Sequence, residues 1–509
     1  MKQYQQITLA GTKTTSTDLC RWVEALFHLH ASLAPRFARP EPHRRALRYL
    51  QGILSDVARK NGWQLAEHAG EEHPSGMQRL LSQAVWDTDG VRDDLRRYAI
   101  EQLGTESAVL VIDESSFPKS GTKSAGVGWQ YCGTTGQVEN CQVGVFLSYV
   151  TARGHALIDR ELYLPLDWCQ DADRRSTAHI PESVRFQTKP ELAAQMIERV
   201  SKAAIPISWV VADTVYGGNF DLRTWLEAHQ YHYVMAVACN EPVAFQTAQG
   251  RRREEAALVE TFLPDQITWR RLSMSEGTKG PRLFDWALVP MLHGWQDDGC
   301  HFLLIRRCID DPSQQTYYFV FANVCTTLSE MVAATGCRWH IEEDFENSKD
   351  LGLDHYEVRS FVGWYRHVTL CMLAAAYLAG IVAWEKAHAL TIVVPNANPS
   401  VFPLLPLTVP EVGHLLARLF FPLPRNVKRA LAWSRWRRCI RAAPATSTRN
   451  VVEKRGKALL VLCPHLDLLT AEDLGSPPRT FPASAGSLGI FPYLSFCCVR
   501  YLVLSHQEG

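Results

Sequence analysis

Residues 108–113 read Ala-Val-Leu-Val-Ile-Asp, a continuous apolar run that ends in an acid. A short apolar run without polar alternation is typical of a central strand that is buried on both faces of its sheet. Residues 207–212 (ISWVVA) form a second such run, and Asp213 follows it directly. Between the two runs, residues 191–203 (ELAAQMIERVSKA) have apolar side chains at helical spacing. The alternation of strand and helix predicts an α/β core.

The residues that flank these two runs complete the predicted core. Residues 141–165 contain β-branched and aromatic side chains on both sides of an Arg-Gly pair, which predicts a hairpin. A short helix is expected at 219–230, and a third strand follows in YHYVMAVA. From about 240 to 330, short β-like segments are separated by Gly, Asp and Pro, which indicates a mostly β insertion. Helical periodicity resumes at Thr327.

These patterns divide the 509 residues into six regions. We expect a helical region (1–105), the first part of the core (106–240), the β insertion (241–326), core completion with a helix that carries Glu342 (327–390), a basic helical C-terminal region (391–441) and an irregular tail of unassigned role (442–509).

Composition excludes several classes of protein. The chain is 46% hydrophobic and 21% charged, which are ordinary globular values and exclude a disordered or fibrous chain. It has 53 basic and 53 acidic residues, so any binding of nucleic acid must depend on local basic patches. None of the 14 cysteines forms a C-x-x-C pair, and no signal peptide is recognisable, so we expect free thiols and a cytoplasmic protein. The uncharged residues 368–384 reach the lower limit for a membrane span, but we favour a buried core helix.

Three acids are candidate metal ligands and catalytic residues. Asp113 and Asp213 are expected at the ends of adjacent strands, and Glu342 lies on a later helix that can pack across them. Clustered carboxylates repel one another unless divalent cations neutralise them, so the pattern predicts a site for Mg²⁺ or Mn²⁺, with two ions expected. An Asp at a strand end also commonly caps the next loop, so any single acid has a structural alternative. Glu346 is the rival to Glu342, one helical turn further on, and Glu114 is expected to support the site rather than bind metal.

The residues around each acid carry a resemblance to a known family. The block at 111–146, which begins Val-Ile-Asp-Glu-Ser-Ser-Phe-Pro-Lys, resembles the first catalytic block of DDE transposases from bacterial insertion sequences, most like the 701-type family. The blocks LYLPLDWCQDADRR (162–175), VVADTVYGGNFDLRTWL (210–226) and the segment 337–374 resemble the same family. The resemblance extends over about residues 15–440. It implies an RNase H-like core interrupted by the β insertion, with helical regions at both ends.

The segment around Glu342 also resembles the signature Tyr-x2-Arg-x3-Glu-x6-Lys of the wider insertion-sequence-4 group. Arg338, Glu342 and Lys349 keep the spacing, whereas Thr335 stands at the Tyr position. The four- and seven-residue separations place both basic side chains near Glu342 on a helix. We therefore expect Arg338 and Lys349 to contact DNA phosphates. The tyrosine contact is not expected in this chain.

A second set of DNA contacts is expected in the C-terminal region. Residues 425–441 (RNVKRALAWSRWRRCIR) contain seven basic residues, two tryptophans and no acid. Such a patch neutralises phosphates, although burial of the tryptophans is favoured over stacking on bases. The predicted DNA-binding residues here are Arg425, Lys428, Arg429, Arg435, Arg437 and Arg438.

The resemblance implies a transposase that binds the terminal inverted repeats of its element as double-stranded DNA. Water would cleave the strand at each end in a metal-dependent step, and the freed 3′-hydroxyl would attack target DNA. A homodimer is expected in the DNA-bound synaptic complex. The alternatives are a transposase-derived DNA-binding regulator without cleavage activity, and a hydrolase that uses two carboxylates for acid–base chemistry.

Overall fold

A computed structural model describes residues 8–9, 14–277, 280–388, 392–393, 406–422 and 427–442. The chain divides into two compact units, Met1–Ser434 and Arg435–Gly509, and only residues 435–442 of the second unit are described. The predicted irregular tail therefore lies outside the described residues, apart from position 442. Most of the Pro-rich segment at 395–410 also lies outside them.

Helices make up the N-terminal region. They and one short strand are β1 (Thr8–Leu9), α1 (Ser16–Ser32), α2 (Pro40–Ile53), α3 (Gly62–His68), α4 (Ser75–Ser82) and α5 (Thr88–Leu103). Helix α1 begins at a capping box in which Thr15 and Asp18 satisfy each other's backbone N–H groups. Asp87 caps α5 by accepting a hydrogen bond from the Gly90 N–H at 2.9 Å. Each helix buries one apolar face, with Leu26, Leu50 and Leu95 fully excluded from solvent.

The central sheet follows next. Its elements are β2 (Val109–Pro118), β3 (Gly128–Cys132), β4 (Gln137–Thr151), β5 (Gly154–Tyr163), α6 (Leu166–Gln170), α7 (Ala172–Thr177), α8 (Lys189–Lys202), β6 (Trp209–Ala212), α9 (Thr214–Gly217), α10 (Phe220–Ala228) and β7 (Tyr233–Val237). Strands β5, β4 and β2 pair antiparallel in that order, and β6 and β7 continue from β2 in parallel. The spatial order is therefore third, second, first, fourth, fifth among the five core strands. This is an RNase H-like topology, as the motif blocks predicted.

The insertion extends the same sheet. Its elements are β8 (Pro242–Thr247), β9 (Gly250–Glu255), α11 (Val259–Phe262), β10 (Arg270–Gly277), β11 (Gly280–His293), β12 (Gln296–Arg307) and β13 (Gln315–Phe321). Strand β13 pairs antiparallel with β7, so strands β10 to β13 continue the core sheet beyond its parallel edge, whereas β8 and β9 form a separate two-stranded sheet.

The last elements close the core. They are α12 (Leu328–Gly336), α13 (Trp339–Asp350), α14 (Phe361–Ala387), β14 (Ile392–Val393), α15 (Val409–Leu419) and α16 (Val427–Ala442). Helix α14 is long and apolar enough to cross a membrane, but 89% of its most apolar 18-residue stretch is buried inside the protein. It packs on β5 and α5, which agrees with the core-helix interpretation of residues 368–384.

A buried ion cluster joins α5, β5 and α8. Asp159 on β5 has no solvent exposure, and Arg199 on α8 contacts both of its carboxylate oxygens at 2.9 and 3.0 Å. Arg92 and Arg96 on α5 lie 3.6 and 3.7 Å from the same carboxylate. A buried charge of this kind is tolerated only when it is paired, so Asp159 fixes the helices against the sheet.

Two boundaries differ from the sequence prediction. Asp113 does not end its strand, because β2 continues to Pro118 and pairs with β4 along its whole length. The helix predicted from Thr327 onward is broken at Cys337 and Arg338 into α12 and α13. Residues 114–116 are polar, so the apolar run suggested that the strand ends at Asp113. Helical periodicity continues across Cys337 and Arg338, so the pattern contains no sign of a break between two helices.

Candidate active site

Asp113 lies in β2 at the point where the pairing of this strand with β6 ends and its pairing with β4 continues. The parallel pairing of β2 with β6 ends at Ile112 and Ala212, one residue before each aspartate. Asp113 still pairs with Phe146 of β4. Its carboxylate accepts a hydrogen bond from the Glu114 N–H at 2.7 Å, and its side chain is only 16% exposed.

Asp213 follows β6 directly and also caps the next helix. Its Oδ1 accepts a hydrogen bond from the Val215 N–H at 2.9 Å, which is the capping role expected for an Asp at a strand end. The short helix α9 packs very closely on β7: a Cβ atom at Gly217 would lie 1.9 Å from the Ala236 carbonyl oxygen. Glycine at 217 is therefore needed to hold α9, and with it Asp213, at this edge of the sheet.

Glu342 stands on the first turn of α13 and is joined to Asp113 through a guanidinium group. Arg338 Nη2 lies 2.7 Å from Glu342 Oε1, and Arg338 Nη1 lies 3.5 Å from Asp113 Oδ2. Helix α13 is held against β4 by Phe345, whose ring makes an edge contact with Phe146. The structure therefore brings Asp113, Glu342 and Arg338 together, and Arg338, which the sequence assigned to a DNA phosphate, here pairs with the two acids.

The two aspartates carry perturbed pKa values. Burial, together with the neighbouring Asp213, raises the pKa of Asp113 to about 7. Burial and the nearby Glu114 raise the pKa of Asp213. Arg338 acts in the opposite direction on both. Ionisation of each carboxylate is therefore unfavourable in the absence of a cation. Raised pKa values of this kind are typical of carboxylates that bind metal ions.

These carboxylates fit a divalent metal ion. Their oxygen atoms are the ligands that Mg²⁺ and Mn²⁺ prefer, and a cation would stabilise the ionised carboxylates, which burial and mutual repulsion disfavour. Within the part of the chain that the structure describes, the carboxylate oxygens of the three acids do not all lie within 4.8 Å of one another. The Arg338 guanidinium supplies the positive charge between Asp113 and Glu342 instead.

Glu114 is held beside the aspartates by two side chains from other elements. Lys189 of α8 donates to its Oε1 at 2.5 Å, and the buried Tyr216 hydroxyl donates to its Oε2 at 2.7 Å. Both oxygens of Glu114 are thus engaged. This arrangement agrees with a supporting position and leaves Asp113 and Asp213 as the freer acids.

Behind Glu342, a hydrogen-bonded chain attaches α13 to the sheet. Asp344 accepts from Ser148 Oγ at 2.5 Å and contacts His155 Nδ1 at 2.8 Å, while Glu343 contacts His155 Nε2 at 3.3 Å and His340 Nδ1 at 2.8 Å. Although burial lowers the pKa of His155, Asp344 and Glu343 raise it to about 10. Sequence reasoning missed His155 and Asp344, because 189 residues separate them and no motif joins them.

Glu346, the rival third acid, is exposed on α13. Lys349 is partly exposed, and among the residues described no carboxylate lies within 4.0 Å of its ammonium group. Its charge is therefore not used in a surface ion pair with Glu346 or Asp350.

The basic residues of α16 differ in their surroundings. The Arg429 guanidinium lies against Gly70, and Trp433 is buried with its Nε1 donating to the Glu71 carbonyl at 3.1 Å. Arg435 and Arg438 are exposed, and Arg437 is partly buried. Arg425 and the side chain of Lys428 lie outside the described residues.

An RNase H-like sheet with one acid inside a central strand, a second directly after the neighbouring strand and a third on a later helix defines a class: RNase H-like proteins with an acidic site. Two family models match this chain, a DDE superfamily endonuclease over residues 32–281 and a transposase DDE domain over residues 186–378. The two matches confirm, over residues 32–378, the resemblance to DDE transposases that the motif blocks predicted. Nucleases of this superfamily generally use divalent metal ions.

One curated relative is the probable transposase for insertion sequence element IS701 from Microchaete diplosiphon. The two chains are 26% identical over 228 residues, which is 44% of this chain and 54% of the relative. The match thus spans about half the length of that protein.

Solved structures give weaker likenesses. A piggyBac transposase synaptic complex with hairpin DNA matches 84% of this chain and 78% of its own, with 12% identity and a TM-score of 0.34. Endonuclease V from Streptomyces avermitilis matches 52% of this chain and 92% of its own, with 8% identity and a TM-score of 0.20. Both scores are below 0.5, so the assignment of the fold depends on the strand order.

Proposed function

We propose that this protein is a DNA transposase that binds the terminal inverted repeats of its element, cleaves them in a metal-dependent reaction and transfers the 3′-hydroxyl end to target DNA. One observation carries the proposal: Asp113 and Asp213 directly follow the paired residues Ile112 and Ala212, and Arg338 links Glu342 to the first of them. The family match supports the same reaction class.

In this proposal Asp113, Asp213 and Glu342 hold Mg²⁺ or Mn²⁺, with two ions expected. When bound, such ions activate water or a 3′-hydroxyl and stabilise the leaving oxygen of the phosphodiester. Asp213 keeps one oxygen on the α9 N-terminus, which fixes the direction of its carboxylate. Arg338 pairs with Asp113 and Glu342 in this structure, and it would contact a DNA phosphate when those two acids hold a cation.

Other side chains bind and orient DNA in this proposal. Lys349, on the helix of Glu342, has no ion-pair partner within the described part of the chain, and Arg435 and Arg438 are exposed on α16. We assign the helical region 1–105 and the basic region 391–441 to DNA binding, and 106–240 with 327–390 to the catalytic core. Two protomers would join two element ends in a synaptic dimer, and we place the protein in the bacterial cytoplasm, on the nucleoid when bound to DNA.

The test uses full-length protein, labelled DNA that carries the element ends, and Mg²⁺. Wild type should nick the DNA at the end and join the 3′-hydroxyl to a second DNA, whereas Asp213→Asn should bind the ends and leave them intact. DNA binding depends on phosphate and base contacts away from the acids, so it should survive the substitution. Binding by wild type without any metal-dependent cleavage would favour the regulator alternative and refute the proposal.

A further inference from the structure

A second cluster of possible metal ligands, made of residues other than the three acids, lies where the insertion meets the core. Glu227 comes from the core helix α10, while His293 and His301 come from the β11–β12 hairpin of the insertion. One ligand atom from each lies within 4.8 Å of the other two. The three residues line a cleft of about 640 Å³.

His301 is oriented as a metal-binding histidine is. Its Nδ1 lies 2.7 Å from Asp298 Oδ2, so Nδ1 carries the proton that this hydrogen bond needs. A carboxylate that accepts from the distal ring nitrogen is the usual outer partner of a metal-ligating histidine, because it fixes the tautomer and the ring orientation. Nε2 is then left with a lone pair directed away from Asp298.

That Nε2 atom is buried without a hydrogen-bond partner. The His301 side chain is only 10% exposed, and Nε2 faces Glu227 Oε1 at 3.3 Å without a hydrogen bond between them. In the neutral tautomer both atoms carry lone pairs that repel each other, so either a proton on Nε2 or a metal cation must lie between them. Burial lowers the pKa of His301, but Glu227 and Asp298 raise it above its usual value, so the proton is the competing occupant. A buried polar atom without a partner calls for an explanation of this kind.

The spacing matches a tetrahedral ligand shell. Zinc binds imidazole nitrogen at about 2.0–2.1 Å and carboxylate oxygen at about 2.0–2.2 Å, so two such ligands at the tetrahedral angle lie about 3.3–3.5 Å apart. The observed separation of 3.3 Å between Nε2 and Oε1 agrees with this value. The cluster behind Glu342 has the same 3.3 Å separation between His155 Nε2 and Glu343 Oε2, but there Glu343 Oε2 is also hydrogen-bonded to His340 Nδ1 at 2.8 Å. What distinguishes His301 is that its Nε2 is buried without a hydrogen-bond partner among the described residues.

The remaining ligands complete the site. The Tyr233 hydroxyl donates to Glu227 Oε1 at 2.6 Å and holds that carboxylate in place. The His293 ring stacks on His301 with centroids 4.4 Å apart, and it is exposed at the end of its strand. Two imidazoles and one carboxylate are a ligand set that suits zinc, and the cleft leaves room for water as a fourth ligand.

We propose that Glu227, His293 and His301 bind a zinc ion, separate from the metal site of Asp113, Asp213 and Glu342. Because Glu227 belongs to the core and both histidines belong to the insertion, the bound ion would join the β11–β12 hairpin to α10. Its role would be to fix the insertion on the core, and it takes no part in the proposed cleavage chemistry.

The experiment uses full-length protein that has been stripped with a chelator and reloaded with Zn²⁺ or Co²⁺ in excess Mg²⁺, which occupies the oxygen-only acids. Wild type should retain one equivalent of zinc after desalting, and its Co²⁺ form should show the intense visible absorption of tetrahedral coordination. His301→Gln should lose both signals. Asp298→Asn keeps all three ligands and should bind zinc about 10–100-fold more weakly.

His229→Gln is the matched control, because His229 is an exposed histidine directly after the same helix α10 and its Nδ1 lies 2.7 Å from the Trp225 carbonyl oxygen. This variant should bind zinc as wild type does. Failure of wild type to retain zinc would overturn the proposal and leave His301 as a protonated partner of Glu227 and Asp298. Equal retention by wild type, His301→Gln and Asp298→Asn would also overturn it.

Discussion

Replacement of Asp113 by asparagine should stabilise the metal-free protein while it abolishes cleavage. Burial and the neighbouring Asp213 raise the pKa of Asp113 from 3.8 to about 7 in the folded chain. An ionised Asp113 therefore costs the folded protein about 4 kcal/mol at a pH above both values. Asparagine keeps the shape and removes the charge. We expect the free energy of unfolding to rise by up to about 4 kcal/mol at about pH 8.

The pH dependence gives this prediction its sign. The folded-state pKa lies above the unfolded-state value, so the unfavourable contribution is absent below 3.8, grows as the pH rises, and is complete above about 7. The advantage of the asparagine variant should therefore shrink on acidification and vanish near about pH 4. Added Mg²⁺ should stabilise wild type more than the variant, because a ligand stabilises the form that binds it.

The measurement is urea unfolding of both proteins in a chelator at several pH values, together with Mg²⁺-dependent cleavage of end-containing DNA. Asp265→Asn is the control: Asp265 is exposed, so its replacement should change the free energy of unfolding by less than about 0.5 kcal/mol. An Asp113→Asn protein that is no more stable than wild type near pH 8, or that still cleaves, would refute the reasoning.

Three further predictions concern other parts of the molecule. Glu342→Gln should reduce cleavage at least about a thousandfold, because a metal ligand supports several kcal/mol of transition-state stabilisation, whereas the exposed Glu346→Gln should cleave nearly as wild type; single-turnover rates compare them, and the reverse order would move the third acid. Lys349→Ala should weaken end binding and lower the salt dependence by about one phosphate contact, and identical salt titrations of variant and wild type would contradict that assignment. Asp159→Asn should lower the free energy of unfolding by about 3–5 kcal/mol, because it leaves Arg199 and its neighbours buried without a counter-charge; a loss below about 1 kcal/mol in chemical unfolding would show that the cluster does not hold the helices.

Much of the fold and part of the site could be predicted from the sequence. The apolar runs at 108–112 and 207–212 indicated central strands because burial on both faces leaves a continuous apolar pattern. The spacing of Arg338, Glu342 and Lys349 indicated a shared stretch of helix, since helical periodicity is local. The catalytic roles of these residues stay predictions, which the experiments above test.

Only the tertiary structure decided which residues meet. Arg338 is a phosphate contact by sequence spacing, but the packing of α13 on β2 places its guanidinium between Asp113 and Glu342. Glu227 and His301 are 74 positions apart and lie in different regions of the chain, yet the pairing of β13 with β7 brings their side chains to 3.3 Å. The sequence by itself determined the local elements and the chemical types of the acids, because periodicity and composition act over a few residues. The pairing of strands and the packing of helices determined the partners of each charge, because contacts between distant residues leave no periodic pattern in the chain.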